Sequence, residues 1–378
     1  MKKATYIFSF LLVLVIAYAC TDANGEGGTD EDGFDRKTLT TSWVNHLLIP
    51  AITDFQIKVN TLHATAISLT DVPSSSSLEK ARASLFAAAK VWQHVEMFFY
   101  GTSFANDINT YPIDLDRIAD NIETPVADIN FNRTLLDGTQ GLQTLDYLLN
   151  GLGNKDEAIL TKYQDVKYAN YLKALTSRMK TLTTTIISDF QTVKDANINS
   201  IDNTISSYFS IQINDYVQYT EKSFREAKIA IPSGTRNRDK FPNISVDPSP
   251  QATESLFSPE NSKTLYLEAY DAIQDFYYGR DYTTGTNTTG LQDYLQFLGA
   301  TIMVGTNDIS LDSYIETLFE TVSAANSNLG DNFFEQTQTY NSNFDAAFDA
   351  IQEFVVAIKG NAISAFNLTI DFADNDGD

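Results

Sequence analysis

Apolar residues recur at steps of three and four along nearly the whole of this chain, and that periodicity commits it to helices. The series Leu85, Ala88, Trp92, Val95, Phe99 shows it, and Phe344, Phe348, Ile351, Val355, Ile358 shows it again near the end. Each series lays its side chains along one stripe of a helix, where only burial against other helices satisfies them. The polar–apolar alternation of half-buried strands is scarce. The spacing predicts helices over 39–70, 77–100, 138–152, 156–196, 200–229, 260–279, 289–300, 309–326 and 332–364. Pro50 breaks the first near its start, and Ser76 or Ser77, ahead of Glu79 and Lys80, caps the second.

The start of the chain reads as a leader rather than as fold. Residues 1–19 carry Lys2 and Lys3 and then an apolar run from Ile7 to Ala17, the layout of a secretory signal peptide. Cys20, the single cysteine, follows Ala19 in the manner of a lipobox, so it is expected to be acylated and to become the mature N-terminus; the other reading is one uncleaved anchor helix. The run falls short of the roughly 20 residues that span a bilayer. With Cys20 acylated, no thiol is left for a disulfide, a thiolate nucleophile or a thiolate metal site. Residues 20–37 form an acidic linker centred on Thr29-Asp30-Glu31-Asp32, either a solvated tether or a surface-export signal.

Charge excludes one class of partner. The chain carries 26 basic against 49 acidic residues, a formal net charge of −23, with no basic stripe, so nucleic acid is not expected. Binding by charge to an anionic membrane surface is disfavoured for the same reason.

The chain reads as all-α, as two tandem, related helical bundles over 38–199 and 200–378, with an irregular crossover at 231–259 rich in proline. Two internal echoes suggest duplication. Trp92–Gly101 reads beside Tyr270–Gly279, and Thr139-Gln140-Gly141-Leu142-Gln143 beside Thr288-Thr289-Gly290-Leu291-Gln292. The tyrosines Tyr266, Tyr270, Tyr277, Tyr278 and Tyr282 fit core or rim positions, or a stacking surface.

Chemistry concentrates in Gly141-Leu142-Gln143-Thr144-Leu145-Asp146, where Leu142, Leu145, Leu149 and Leu152 make an apolar stripe and Gln143, Asp146 and Asn150 a polar one. Three residues apart on a helix, Gln143 and Asp146 put their Cβ atoms about 5–6 Å from each other, within reach of one ligand or one buried partner. Trp92, Gln93 and Glu96 lie on the preceding long helix and can be brought alongside.

This stretch resembles the glycine-any-histidine-any-any-glutamate signature of the imelysin family, bacterial envelope proteins classed as metallopeptidases and linked to iron uptake. Trp92-Gln93-any-any-Glu96 with Phe98-Phe99-Tyr100-Gly101 is similar to the helix before that signature, and Ile231-Pro232-Ser233-Gly234-Thr235-Arg236 to a segment in the same place in the family. The resemblance, over about residues 38–378, implies two related helical bundles on a lipoprotein of the outer membrane, at its periplasmic face or the cell surface. Gln143 stands where the signature has histidine, and Asp146 where it has glutamate.

Those departures bear on activity. Catalytic zinc is held by imidazole and carboxylate, and a neutral amide oxygen is a poor replacement. His46, His63 and His94 have no zinc-site spacing and read as structural or exposed. Zinc is therefore not expected, nor a catalytic residue, while Asp146 and Glu96 with amide oxygens could hold iron(III), calcium or magnesium. The acidic end Asp374-Asn375-Asp376-Gly377-Asp378 lacks the rest of a calcium loop and reads as a solvated tail. Three functions stay open: a non-catalytic protein holding a metal, haem or small ligand near Gln143, Asp146, Glu96, Gln93 and Trp92 in the service of iron or haem acquisition; a metallopeptidase that works with Gln143 and Asp146; and an envelope module whose site has decayed and which contacts an outer-membrane partner protein.

Overall fold

The computed structural model describes residues 32–235 and 248–371. The leader, Cys20, the linker up to residue 31, the middle of the crossover (236–247) and the acidic end lie outside the described residues.

Within them the chain is all-α, and the only strands are Thr301–Val304 and Asn307–Ser310, an antiparallel pair joined through Gly305. The first helical run, Arg36–Ser42, widens into a π-helical stretch at Trp43–Leu48 and continues as Ile49–Asp71. Pro50 does not break it. In the wide turn just before, Ile49 N–H reaches back to Val44 O, and proline, which has no N–H, falls in the first turn of Ile49–Asp71. A short turn reverses the chain into Ser75–Gln93, capped by Ser74 rather than Ser76 or Ser77. Ser74 and Ser77 form a reciprocal box, Ser77 N–H donating to Ser74 Oγ at 3.2 Å and Ser74 N–H to Ser77 Oγ at 3.0 Å. These two helices pack on each other, and Ile49–Asp71 also packs along Val166–Ile198.

The second half is built on Leu311–Ser327 against Ser342–Val356, and the latter lies on the π-helical stretch Tyr219–Ala230. Ser262–Tyr278 packs on Ser75–Gln93 and ties the halves together. Phe276 is sandwiched between Trp43 and Tyr216, each ring centroid 4.7 Å away and nearly parallel. Most buried apolar residues form one continuous cluster from Leu39 to Leu368, with Val44, Ile198 and Tyr208 in a small separate one. Both periodic series lie in it or against it, as do Tyr266, Tyr270 and Tyr277.

Four local departures from the periodicity have physical causes. Between Gly101 and Gly141, where the spacing predicts no helix, Thr102 and Asp114 cap the short helices Ser103–Ile108 and Leu115–Glu123, too brief to show a period. Helix 156–196 divides at Tyr163–Asp165, and Asp165 caps the longer part. Helix 332–364 divides into Phe333–Gln336 and a run opening at Ser342, which Asn341 caps. Helix 289–300 stops at Leu298 because Gly299 turns left-handed (φ +58°), and the hairpin comes next.

Candidate functional site

Gly141 decides where the signature helix starts. Its φ of +76° suits glycine, and a Cβ there would lie 2.3 Å from the carbonyl oxygen of Ile108. The helix Gly141–Asp146 thus begins hard against the end of Ser103–Ile108, whose last carbonyls lead into Asn109. Leu142, Leu145 and Leu149 enter the core as the stripe requires. Gln143 and Asp146 also turn inward, 6% and 3% exposed. The residue that echoes Gln143 in the second half does not: Gln292 is only partly buried and donates to Glu316 at 2.8 Å.

The crossover fills the space that Gln143 and Asp146 face. Gln143 Oε1 accepts the backbone N–H of Ser255 at 2.7 Å, and its Nε2 donates to Asn109 Oδ1 at 2.9 Å. Asp146 Oδ2 accepts from Phe257 N–H at 2.8 Å; its Oδ1 accepts from Ser258 Oγ at 2.6 Å and from Asn150 Nδ2 at 2.9 Å. Ser255 itself is left-handed (φ +62°), a conformation that costs a non-glycine residue about 1 kcal/mol and persists where neighbours hold it.

Glu254, next in this clasp, bonds to Gln93 and acts by charge on Glu96. Its Oε1 accepts from Gln93 Nε2 at 3.1 Å and Asn109 Nδ2 at 3.0 Å, and its Oε2 is ion-paired with Lys228 Nζ. Both members of that pair are buried. A chain of contacts therefore runs Gln93, Glu254, Asn109, Gln143. Glu96 faces the same charges. Its Oε2 is shut off from solvent and has no hydrogen-bond partner. Burial pushes its carboxyl up to about 7, with Lys228 pulling it down and Glu254 pushing it further up. Burial raises Asp146 as well, opposed by its bonds from Ser258, Phe257 and Asn150. Trp92 packs its ring between Phe55 and Phe104 in the core, with its side chain facing Glu96, whose carboxyl it helps to lower.

Beside the clasp remains a cleft of about 80 Å³, lined by Gln143, Asp146 and Leu142 together with Arg82, Asn150, Ser255, Ser258, Glu260 and Asn261. By volume it admits roughly five to eight water-sized groups. Gln93, Glu96 and Trp92 do not line it.

The donor set does not fit zinc. Asp146 spends both oxygens on the crossover, Gln143 commits its carbonyl to Ser255, and a lysine ammonium already neutralises the neighbouring carboxylates. Among the described residues no three His, Cys, Asp or Glu side chains converge as metal ligands. The histidines have partners elsewhere: His46 meets Asp281 at 2.8 Å, His63 meets Thr176 at 3.0 Å, and His94 meets Glu268 at 3.2 Å.

Glu254, Lys228 and Asn109 carry no signal in the sequence that marks them for this site. Glu221, Phe224, Arg225 and Lys228 share one helical face, and all four are buried. In sequence such a stripe is indistinguishable from a solvated one. Glu254 sits in the crossover, which the sequence marks as irregular without saying what it touches.

Comparison with known proteins agrees with this architecture. The family model described as imelysin matches residues 48–359. No curated protein sequence matches the chain. Among solved structures, a protein described as a putative iron-regulated protein A precursor from Parabacteroides distasonis ATCC 8503 superposes with a TM-score of 0.68 at 17% identity, covering 90% of this chain and 97% of its own. An imelysin-like protein from Psychrobacter arcticus 273-4 gives 0.63 at 16% identity, covering 89% and 96%. At such identities the likeness is one of fold. Among the described residues no helix is long and apolar enough to cross a membrane.

Proposed function

The chain belongs to the imelysin family, and on that premise we propose that it is a non-catalytic member, held at the cell envelope through Cys20, which takes a small polar ligand in the cleft beside Gln143 and Asp146. The observation that supports this reading is the engagement of the signature side chains: they hold the crossover and so have their oxygens committed away from a metal, while the cleft they line also carries polar groups. A place in iron acquisition is supported by the resemblance to envelope proteins linked to iron uptake and by the name of the Parabacteroides neighbour. Haem is much larger than a volume of about 80 Å³ and would not enter without opening the crossover. The ligand is then of the size of an amino acid or a small hydroxy acid, free or as an iron chelate fragment.

Calorimetric titration with citrate, iron(III) citrate and a panel of amino acids tests this. At least one is expected to bind more tightly than about 1 mM, near −4 kcal/mol. Ala89→Phe, which fills the cleft wall, should abolish that binding while the fold persists. Failure of the whole panel, or binding unaffected by Ala89→Phe, would remove the cleft as the binding site.

A second reading, an interaction module with a decayed site, is favoured by the same saturation of Asp146. It differs in predicting that no small molecule binds at all.

A further inference from the structure

The described chain opens pinned to one place. Asp32 accepts from Tyr294 Oη and from Arg36 Nη2, and the Phe34 ring stacks on Tyr294 at 4.3 Å and meets Phe297 at 5.4 Å. The described chain therefore begins beside the helix Leu291–Leu298. That neighbourhood is open and carries exposed apolar side chains, with the exposed carboxylate of Asp308 across the hairpin from Met303. Phe297 is 54% exposed, and Met303 and Val304, on the hairpin that comes after the same helix, are 63% and 41% exposed. Gly299 turns the chain at the helix end, and Ala300 N–H bonds back to Leu295 O at 3.2 Å, so the hairpin springs from the end of the helix beside which the described chain begins. Cys20 precedes Asp32 by twelve residues, which span at most about 40 Å even fully drawn out.

We infer that this face, Phe297 with the tip of the hairpin, rests on the lipid surface that carries the anchor; the inference depends on the proposed acylation of Cys20. Three apolar side chains are too few to hold so acidic a protein on a bilayer by themselves. A tether of this length changes that, since it keeps the patch at an effective concentration on the order of millimolar, where a weak contact is populated. The excess of acid makes zwitterionic lipid the better surface, because anionic headgroups would repel the body of the protein. Lipid contact would fix the orientation of the molecule on the envelope.

The test uses the mature chain displayed on zwitterionic vesicles, with an environment-sensitive fluorophore on Met303→Cys and, as control, on Tyr340→Cys, another exposed apolar position (61%). Acylated Cys20 leaves the introduced cysteine as the only free thiol. Nitroxide-bearing lipid is expected to quench the label at 303 at least threefold more than the label at 340, and Phe297→Ser should cut that difference by half or more. Equal quenching at both positions would overturn the inference. Mass spectrometry of the N-terminal peptide reads acylation separately. Should the lipid be absent, the same quenching is measured with a histidine tag at residue 20 on nickel-chelating lipid, and the same two outcomes decide.

Discussion

Ser255 N–H donates to Gln143 Oε1 at 2.7 Å, so the residue that replaces the signature histidine caps a backbone donor of the crossover. An imidazole nitrogen bound to zinc could not accept that hydrogen bond. Gln143 acts as a structural clasp, and the consequences can be measured.

The ion pair at the centre of the clasp is buried. Lys228→Met should cost about 3–5 kcal/mol, because the Glu254 carboxylate is left without its counter-charge in the interior. Lys228→Met with Glu254→Gln should recover most of that, since glutamine still accepts from Gln93 and Asn109 through its oxygen. Chemical denaturation of the unaltered protein and the two variants gives the comparison, and equal losses in the single and double variants would show the pair to be incidental.

Stability should fall between acid and neutral pH. Glu96 rises from 4.5 to about 7 through burial, and Asp215 from 3.8 to about 7 through burial and the nearby Asp371. Each binds more protons folded than unfolded across its window. The stability it contributes is therefore complete below the unfolded value and lost as the pH climbs through the folded one, by about 3–4 kcal/mol each. Melting temperature measured from pH 5 to pH 8 should drop, and Glu96→Gln with Asp215→Asn should flatten the curve.

Gly141→Ala should destabilise by about 3 kcal/mol or more, combining the left-handed backbone with a Cβ 2.3 Å from Ile108 O. Gly285→Ala shares the backbone penalty (φ +68°) but meets nothing within 4 Å, so about 1 kcal/mol is expected. Soluble yield and melting temperature of the two variants check the difference.

Zinc titrated into the unaltered protein should bind no more tightly than about 100 μM, near −5.5 kcal/mol. Gln143→His with Asp146→Glu restores the signature but leaves the Lys228 ammonium in the neighbouring carboxylate network. Tight zinc binding is expected only when Lys228→Met is added. Proteolysis by the unaltered protein would contradict this directly.

How much of the fold and the site is legible in the sequence depends on the range of the interaction. Periodicity locates Leu142, Leu145 and Leu149 in the core and makes neighbours of Gln143 and Asp146, because both facts are local to one helix. The partners of those two residues, Ser255 and Phe257, lie more than a hundred positions away in an irregular segment, and no local pattern announces such pairings. Trp92 and Gln93 are adjacent in sequence, but successive residues on a helix point about 100° apart, so Gln93 meets Glu254 while the Trp92 ring packs on Phe55 and Phe104 with its side chain facing Glu96. Pro50 carries the usual signal of a broken helix, and the π-helical turn before it cancels the effect.

Hydrogen exchange at two backbone amides, Ser255 and Phe257, tests the clasp most directly. Both should be protected at least about 100-fold over free-chain rates, with Gln143→Ala releasing the first and Asp146→Ala the second. Exchange of both at free-chain rates in the unaltered protein would mean that Gln143 and Asp146 do not hold the crossover, and that their site is open.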